Sequence, residues 1–328
     1  MSEGLPKYAA RQICDWLYAK HIDNIDAMTN LSLKVRSQLK EKYTIGRWAP
    51  ADCQISHDGT KKYLFEVDGQ RYVETVYIPD GDRATLCVSC QAGCRMGCRF
   101  CVTGSNGFHG NLTASEILNQ IFSIPEFSQL TNIVYMGMGE PFDNYEAVMR
   151  SIKVLTSDWG LGWSPHRITV STVGLTPVIE RFLRESECHL AISLHNPVAE
   201  ERLSIMPMQK AYPIADTVHL LKKYDWGGQR RLSFEYTMFG GLNDDRKHAE
   251  ALVRLVGQLR CRVNLIKFHA SPDTPFRTPS RETMQQFMTY LCDHGIRCTI
   301  RASRGEDIMA ACGLLAGEKV TVSNSRNA

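Results

Sequence analysis

Ala84-Thr-Leu-Cys-Val-Ser-Cys-Gln-Ala-Gly-Cys94-Arg-Met-Gly-Cys98-Arg-Phe-Cys101 runs from a short β-rich segment, Ala84–Val88, into a loop with three cysteines spaced x3 then x2. Three thiolates are one fewer than the four that fill an iron–sulfur cluster or a structural zinc site. A cluster held by three protein ligands leaves one metal corner open to a small molecule. A strand that ends in a reactive loop is also how a parallel α/β fold presents its chemistry. The fold therefore turns on whether further strands of this kind follow.

They do. Further β-rich runs occur at Asn132–Met136, Ile168–Thr172, Leu190–Leu194, Leu232–Thr237, Val263–Phe268 and Arg297–Arg301, with helical segments between most of them. One helix opens at Thr113-Ala-Ser-Glu116, a capping box ahead of Ile117, Leu118 and Ile121. Another spans Lys247–Leu259. The alternation implies parallel strands joined by crossover helices. Seven strands fall one short of the closed eight-stranded form. The expected fold class is therefore α/β, a partial (β/α) barrel over residues 84–316.

Ahead of the barrel, Lys62–Val67 and Gln70–Ile78 flank Asp68-Gly69, the turn pair of a hairpin. Residues 51–83 are thus a β-hairpin extension. Residues 1–50 read as a small N-terminal helical domain. Ile13, Trp16, Leu17 and Lys20 keep helical spacing, and a second helix from Ser32 to Tyr43 carries Val35 and Leu39. Eight Lys/Arg against five Asp/Glu in this stretch fit a solvated surface or an RNA-facing module. The polar tail, 317–328, is expected to fray.

Composition sets outer limits. A chain of 328 residues, 43% apolar and 22% charged, is an ordinary globular protein with room for a sizeable core. No signal-peptide run and no bilayer-length apolar stretch occurs, so a cytoplasmic, membrane-free protein is expected. Twelve cysteines are too few for a disulfide scaffold, yet five crowd into residues 87–101, which reads as metal binding or catalysis. A net charge of +3 permits a nucleic-acid partner without requiring one.

In a (β/α) barrel the reactive groups collect where strands end. Gly137-Met-Gly139-Glu140-Pro141 follows the second strand, Ser171-Thr-Val-Gly174 closes the third, Ser193-Leu194-His195 the fourth and Lys267-Phe-His269 the sixth. Singly, these are a tight turn, strand-end caps and core histidines. Together with the cysteine loop, five strand ends point at one mouth. Cys87-x2-Cys90 beside Cys94, Cys98 and Cys101 also offers thiolates for zinc. Five cysteines in fifteen residues are too compressed for two paired knuckles, but a zinc-stabilised RNA-binding protein without activity is the alternative from another class.

The cysteine loop resembles that of the radical S-adenosylmethionine superfamily. Glu74-Thr-Val-Tyr-Ile-Pro79, Leu86–Cys94, Gly137–Pro141, Ile168–Gly174, Ala191–His195 and Asp307-Ile-Met-Ala-Ala-Cys-Gly313 resemble, in combination, the RlmN/Cfr family of rRNA adenine methyltransferases. The resemblance implies that Cys94, Cys98 and Cys101 hold a [4Fe–4S] cluster whose open iron takes S-adenosylmethionine. It implies that Gly139, Glu140, Ser171, Ser193, Leu194 and His195 line the cofactor pocket. Cys312 would receive a methyl group from one S-adenosylmethionine. A second, cleaved reductively, would supply a radical that activates that methyl for addition to adenine. Cys87 would then resolve the RNA–protein crosslink, leaving a Cys87–Cys312 disulfide, and Glu74 would accept a proton.

The implied substrates are adenine C2 in 23S rRNA and a tRNA adenine beside the anticodon. The same machinery acting at C8 is the nearest alternative. An electron donor such as flavodoxin with its reductase, and a monomeric state, complete the expectation. The chemistry suits the residue types, because C2 of adenine lacks a nucleophilic lone pair and the cofactor carries the hard step. A thiol is both nucleophile and leaving group. Two positions depart from the family pattern: Cys90 stands where Ser is usual, and His269 stands where the pocket commonly has Asn. Arg230, Arg231, Arg301 and Arg304 are candidate phosphate contacts on sequence grounds.

Overall fold

A computed structural model describes residues 5, 7–67, 70–270 and 274–317. Asp68-Gly69 and the tail from 318 lie outside the described residues. Helices α1 (Lys7–Cys14) and α2 (Leu33–Lys42) come first and enclose their own small core of Ala9, Ile25, Met28 and Leu31. Ile13, Trp16, Leu17, Val35 and Leu39 pack against it, as their spacing requires. Lys20 Nζ sits 3.6 Å above the Trp16 ring, a cation–π contact at the end of the stripe.

Strands β1 (Asp52–Ile55), β2 (Lys61–Val67) and β3 (Arg71–Asp80) are antiparallel, and β3 pairs antiparallel with β4 (Arg83–Cys87). The hairpin is therefore part of the main sheet, not an appendage to it. After β4 the chain makes a separate two-stranded sheet of β5 (Gln91–Gly93) and β6 (Phe108–Asn111), with the short helix α3 (Val102–Ser105) between them. The main sheet then continues as α4 (Ala114–Phe122), β7 (Asn132–Tyr135), α5 (Tyr145–Thr156), β8 (Ile168–Thr172), α6 (Thr176–Glu185) and β9 (His189–Ser193). Helices α7 (Ala199–Ile205) and α8 (Ile214–Leu221) lead to β10 (Leu232–Met238), α9 (Arg246–Val256), β11 (Arg262–Lys267), α10 (Arg281–Asp293) and β12 (Arg297–Ile300).

The ten strands lie side by side in chain order, β1-β2-β3-β4-β7-β8-β9-β10-β11-β12, and the last seven are parallel. The sheet does not close on itself, so the α/β partial barrel is the architecture found. Helices cover one side and the barrel interior the other, which is why the central strands are continuous apolar runs: Leu190, Ala191 and Ile192 of β9 are all fully buried. Thr113 and Glu116 form the expected capping box of α4, with Glu116 N donating to Thr113 Oγ1 at 3.2 Å and Thr113 N donating to Glu116 Oε2 at 2.7 Å. No helix among the described residues is long and apolar enough to cross a membrane.

Candidate active site

The cysteine loop is held by backbone geometry before any ligand is considered. Cys94 N donates to Gly107 O at 2.8 Å, so the β5–β6 sheet pins the first cysteine. Cys101 N donates to Cys98 O at 3.1 Å, and Cys101 leads directly into α3. Gln91 ties this loop to the next strand end, because its Oε1 accepts from Glu140 N at 2.8 Å and its Nε2 donates to Asp143 at 2.7 Å. Gly139 sits against that amide with φ +96°, and a Cβ there would lie 2.5 Å from Gln91 Cβ. Only glycine fits this approach.

One cavity of about 180 Å³ opens at the C-terminal ends of the parallel strands. Cys94, Cys98 and Cys101 line it, as do Cys87, Cys312, Gly139 and Glu140. Ser171, Ser193 and His195 reach it from the ends of β8 and β9. Neither serine hydroxyl has a hydrogen-bond partner among the described residues, and both are free to face a ligand. His195 has a left-handed backbone (φ 54°), and its Nδ1 accepts from Thr237 N at 2.9 Å. That bond assigns the proton to Nε2, so the imidazole presents a donor. Burial, with the Arg202 charge adding to it, pushes the histidine down to about 3 and keeps it neutral.

The carboxylate of Glu140 accepts from Phe142 N at 3.1 Å and Val173 N at 2.9 Å. Burial still raises it to about 7, against the pull of Thr172 and those two amides. A cationic amine in the cavity would favour its charged form. Burial raises all three loop thiols, Cys94 to about 12; Glu140 and Cys101 add to the shift of Cys94, Cys101 and Cys94 to that of Cys98, and Cys312 to that of Cys101. A metal reverses that balance by deprotonating its thiol ligands. Three half-buried cysteines lining one cavity, beside neutral donors and a buried carboxylate, fit a cluster with one open corner and an amino-acid ligand on it.

Cys312 is carried to the cavity by a segment stitched at both ends. Beyond it, Val102 N donates to Gly313 O at 2.8 Å, Thr103 Oγ1 to Leu315 O at 2.7 Å and Asn106 Nδ2 to Ala316 O at 3.1 Å. Before it, Ser56 Oγ donates to Asp307 at 2.5 Å and Gly305 N to Asp58 Oδ2 at 3.1 Å. Cys87 and Cys312 are both free thiols. Burial raises Cys87 to about 12 and the nearby Cys312 adds to the shift, while Arg301 opposes it.

Three of the expected residues lie off this cavity. Leu194 is fully buried; its N–H donates to Glu235 O at 3.0 Å and its carbonyl accepts from Arg202. His269 lines a neighbouring cavity with Lys267, Ser303 and Cys312, and its Nε2 lies 2.8 Å from Ser303 Oγ. Glu74 pairs with Lys62 Nζ at 2.9 Å and accepts from the amides of Ala316 and Gly317 at 2.7 and 3.1 Å. Cys90 is packed beneath the Gly137–Pro141 loop, with its thiol 3.6 Å from Met138 O.

Sequence reasoning missed Arg202, Glu235 and the inward role of Arg301. Arg202 has no exposed surface and makes four hydrogen bonds, to Leu194 O (3.0 Å), Val173 O (2.8 Å), Ser193 O (2.9 Å) and Gln209 Oε1 (2.7 Å). It joins the ends of β8 and β9, and burial pulls its guanidinium down to about 10 while Cys98 opposes that. Glu235 is buried on β10, held by Ser233 and Asn264, with Arg301 Nη1 3.5 Å away. Arg301 thus faces the cavity, whereas Arg304 pairs with Asp80 at 2.7 Å. An arginine on a helix reads as surface, so Arg202 gave no sequence signal. The alternation along β10 placed Glu235 inward, on the row of Ser233 and Thr237.

Residues 88–256 match the Radical SAM superfamily, and residues 1–45 match the Ribosomal RNA large subunit methyltransferase N-terminal domain. The "Probable dual-specificity RNA methyltransferase RlmN" of Phocaeicola vulgatus is 55% identical over 316 residues, covering 96% of this chain and 90% of that one. Its counterpart in Porphyromonas gingivalis is 53% identical over 324 residues, 99% of this chain and 95% of the relative. A solved radical SAM methyltransferase from Sphaerobacter thermophilus superposes with a TM-score of 0.90 at 42% identity, covering 97% of this chain and 95% of that one. The chain is therefore an enzyme of the RlmN family within the radical SAM superfamily, whose cofactors are a [4Fe–4S] cluster and S-adenosylmethionine.

Proposed function

We propose that this enzyme methylates C2 of adenine in 23S rRNA and in tRNA beside the anticodon, by way of an S-methylated Cys312. Support comes from one observation above all: two thiols outside the cluster loop, Cys87 and Cys312, line the same cavity as Cys94, Cys98 and Cys101. A cluster enzyme that only generated a radical would need neither. The relatives' name, dual-specificity RNA methyltransferase, agrees with a substrate that is RNA of two kinds.

In this proposal Cys94, Cys98 and Cys101 ligate the cluster. Gly139 and Glu140 receive the amino group of S-adenosylmethionine, and Ser171, Ser193 and His195 orient the rest of it. Leu194 acts through its backbone, and His269 stands behind Cys312 across the wall between the two cavities. When bound, the cluster and S-adenosylmethionine supply both a transferable methyl group and the means to activate it. Cys312 Sγ takes that methyl and presents it to the base. Cys87 Sγ then attacks Cys312 Sγ. The sulfur–carbon bond breaks, its electron pair stays with the transferred carbon, which takes up a proton to become the methyl group on the adenine, and a disulfide remains for an external reductant to reopen; a flavodoxin system is the proposed electron donor to the cluster.

Cys87 rests protonated, so it needs a base, and Glu74 is the proposed acceptor. Its carboxylate is engaged by Lys62 and by the 316–317 amides, so it serves once that segment lifts. A base buried in folded RNA must be splayed out to enter the mouth. The N-terminal helices, residues 1–50, are the proposed RNA-docking module.

Mass spectrometry of nucleosides from rRNA and tRNA treated with reconstituted enzyme tests the reading. 2-Methyladenosine is expected; 8-methyladenosine in its place would overturn the regiochemistry. Cys312→Ala should abolish methylation, and Cys87→Ala should trap a covalent RNA–protein adduct.

A further inference from the structure

The end of the barrel opposite the mouth carries a second cluster of functional groups. Side chains alternate along a strand, so the inward row that ends at the mouth in Ser193, Glu235, Ile266 and Arg301 can be followed back to the floor. There it reaches His189, Arg231, Arg262 and Arg297. These residues, with Arg260 and the more buried Arg230, line one open depression in which no Asp or Glu takes part. Arg262 and Arg297 are direct partners across β11 and β12. Like charges placed opposite each other on adjacent strands are destabilising.

No described residue forms an ion pair with the exposed arginines of this depression. Among the described residues, Arg231, Arg260, Arg262 and Arg297 have no carboxylate within ion-pair distance, and all four are exposed. Arg260 donates to Gly227 O at 3.2 Å. Arg230 lies behind them, donating to Cys188 O at 3.2 Å and Leu183 O at 3.1 Å, with Glu187 4.0 Å away. Its remaining nitrogen, Nη2, is buried without a partner. The field is strong enough to be felt by a neighbour: burial, then Arg231 and His166, push His189 down to about 4.

We propose that this rim is a second RNA contact, a seat for phosphodiester backbone at the floor of the barrel, separate from the mouth where the base is modified. Guanidinium forks match phosphate oxygens. Arg231, Arg262 and Arg297 stand on or beside three adjacent strands set about 4.8 Å apart, which spreads their charges over about 10 Å, longer than one phosphate and suited to a run of them. Such contacts fix position and carry no sequence information. They let a large folded RNA be gripped at a distance from its reacting base. The inference rests on the reading of the chain as an RNA methyltransferase.

The test compares the wild-type holoenzyme with the triple variant R231Q/R262Q/R297Q on two RNAs, a full-length tRNA and a short stem-loop that reaches only the mouth. Losing three phosphate contacts should lower the slope of log affinity against log salt by about 2–3 and weaken tRNA binding at least tenfold at low salt. Stem-loop affinity and stem-loop methylation should not change. The triple lysine variant should retain most of the slope. Because no ion pair is removed, the glutamine variant should melt no lower than wild type. Unchanged tRNA affinity and slope in that variant would overturn the proposal, as would equal losses on both RNAs. Stabilisation of wild type alone by inorganic pyrophosphate, with tRNA binding unaffected, would make this a small-polyanion site and overturn the RNA assignment. Failure of the wild type to methylate the stem-loop would instead count against the enzymatic reading.

Discussion

Val102 N–H donates to the carbonyl of Gly313, so the residue after Cys101 is bonded to the residue after Cys312. Two cysteines more than two hundred positions apart are thereby carried on one hydrogen-bonded unit, and the Cys312 thiol is indexed to the cysteine loop.

Loosening that unit should separate cluster assembly from methyl acceptance. Asn106→Ala removes the bond to Ala316 O without touching a loop cysteine. Iron content is expected to stay at the wild-type level, while S-methylation of Cys312, read by intact mass, falls several-fold.

Arg202→Met should be costly for the fold. It removes the buried guanidinium from three backbone carbonyls and Gln209 Oε1, of which Leu194 O keeps only Asn196 N and Gln209 Oε1 only Ile214 N, a loss of about 2–4 kcal/mol. Denaturant unfolding checks this. Affinity for S-adenosylmethionine should drop with it, because Ser193 and Val173 lose their common tie.

Gly139→Ala places a methyl group where Gln91 stands and forces a left-handed backbone on a residue with a Cβ. About 1–3 kcal/mol of destabilisation is expected. S-Adenosylmethionine binding, measured by calorimetry, should be lost before the global fold is.

Asp58 supplies a pH-dependent brace for the Cys312 segment. Burial works against its charged form, but bonds from Thr60, Gly305 and Ser56 outweigh that and hold the carboxyl down at about 2. A depressed folded value means stability present above the ordinary value of 3.8 and lost as pH falls towards 2. Asp58→Asn should lower the melting temperature slightly at pH 6, and the gap to wild type should close below pH 3.

The seven parallel strands were legible because each is a short apolar run bounded by a breaker, and the ends found differ by a residue or so: Arg83–Cys87 against Ala84–Val88, His189–Ser193 against Leu190–Leu194. Helix α9 ends at Val256, short of the expected Leu259, because the amphipathic pattern persists into the turn after the helix. The β5–β6 sheet was not foreseen, since Gln91-Ala-Gly93 has no β-rich composition and pairs only through the cysteine loop. Cys87 and the loop thiols were legible from the end of the first parallel strand, whereas Cys312, beyond the end of β12, was reached only through the family resemblance. Arg202 and Arg301 were not placed, because a charged residue turns inward only when a tertiary partner accepts it, and linear spacing does not carry that partner; Glu235 was missed although the alternation of β10 sets it on the inward row.

In the main sheet, every strand bonds only to its predecessor and its successor among the sheet's strands, and β1 and the hairpin strands β2 and β3 form the edge that comes first in the chain. Such a sheet can be laid down strand by strand as a nascent chain emerges, with no early strand waiting for a late partner. The cysteine loop is then made near the start and the Cys312 segment at the very end. A chain truncated before that segment would hold the cysteine loop but lack Cys312, and the bonds from Val102, Thr103 and Asn106 to residues 313–316 would be the last of the site to form.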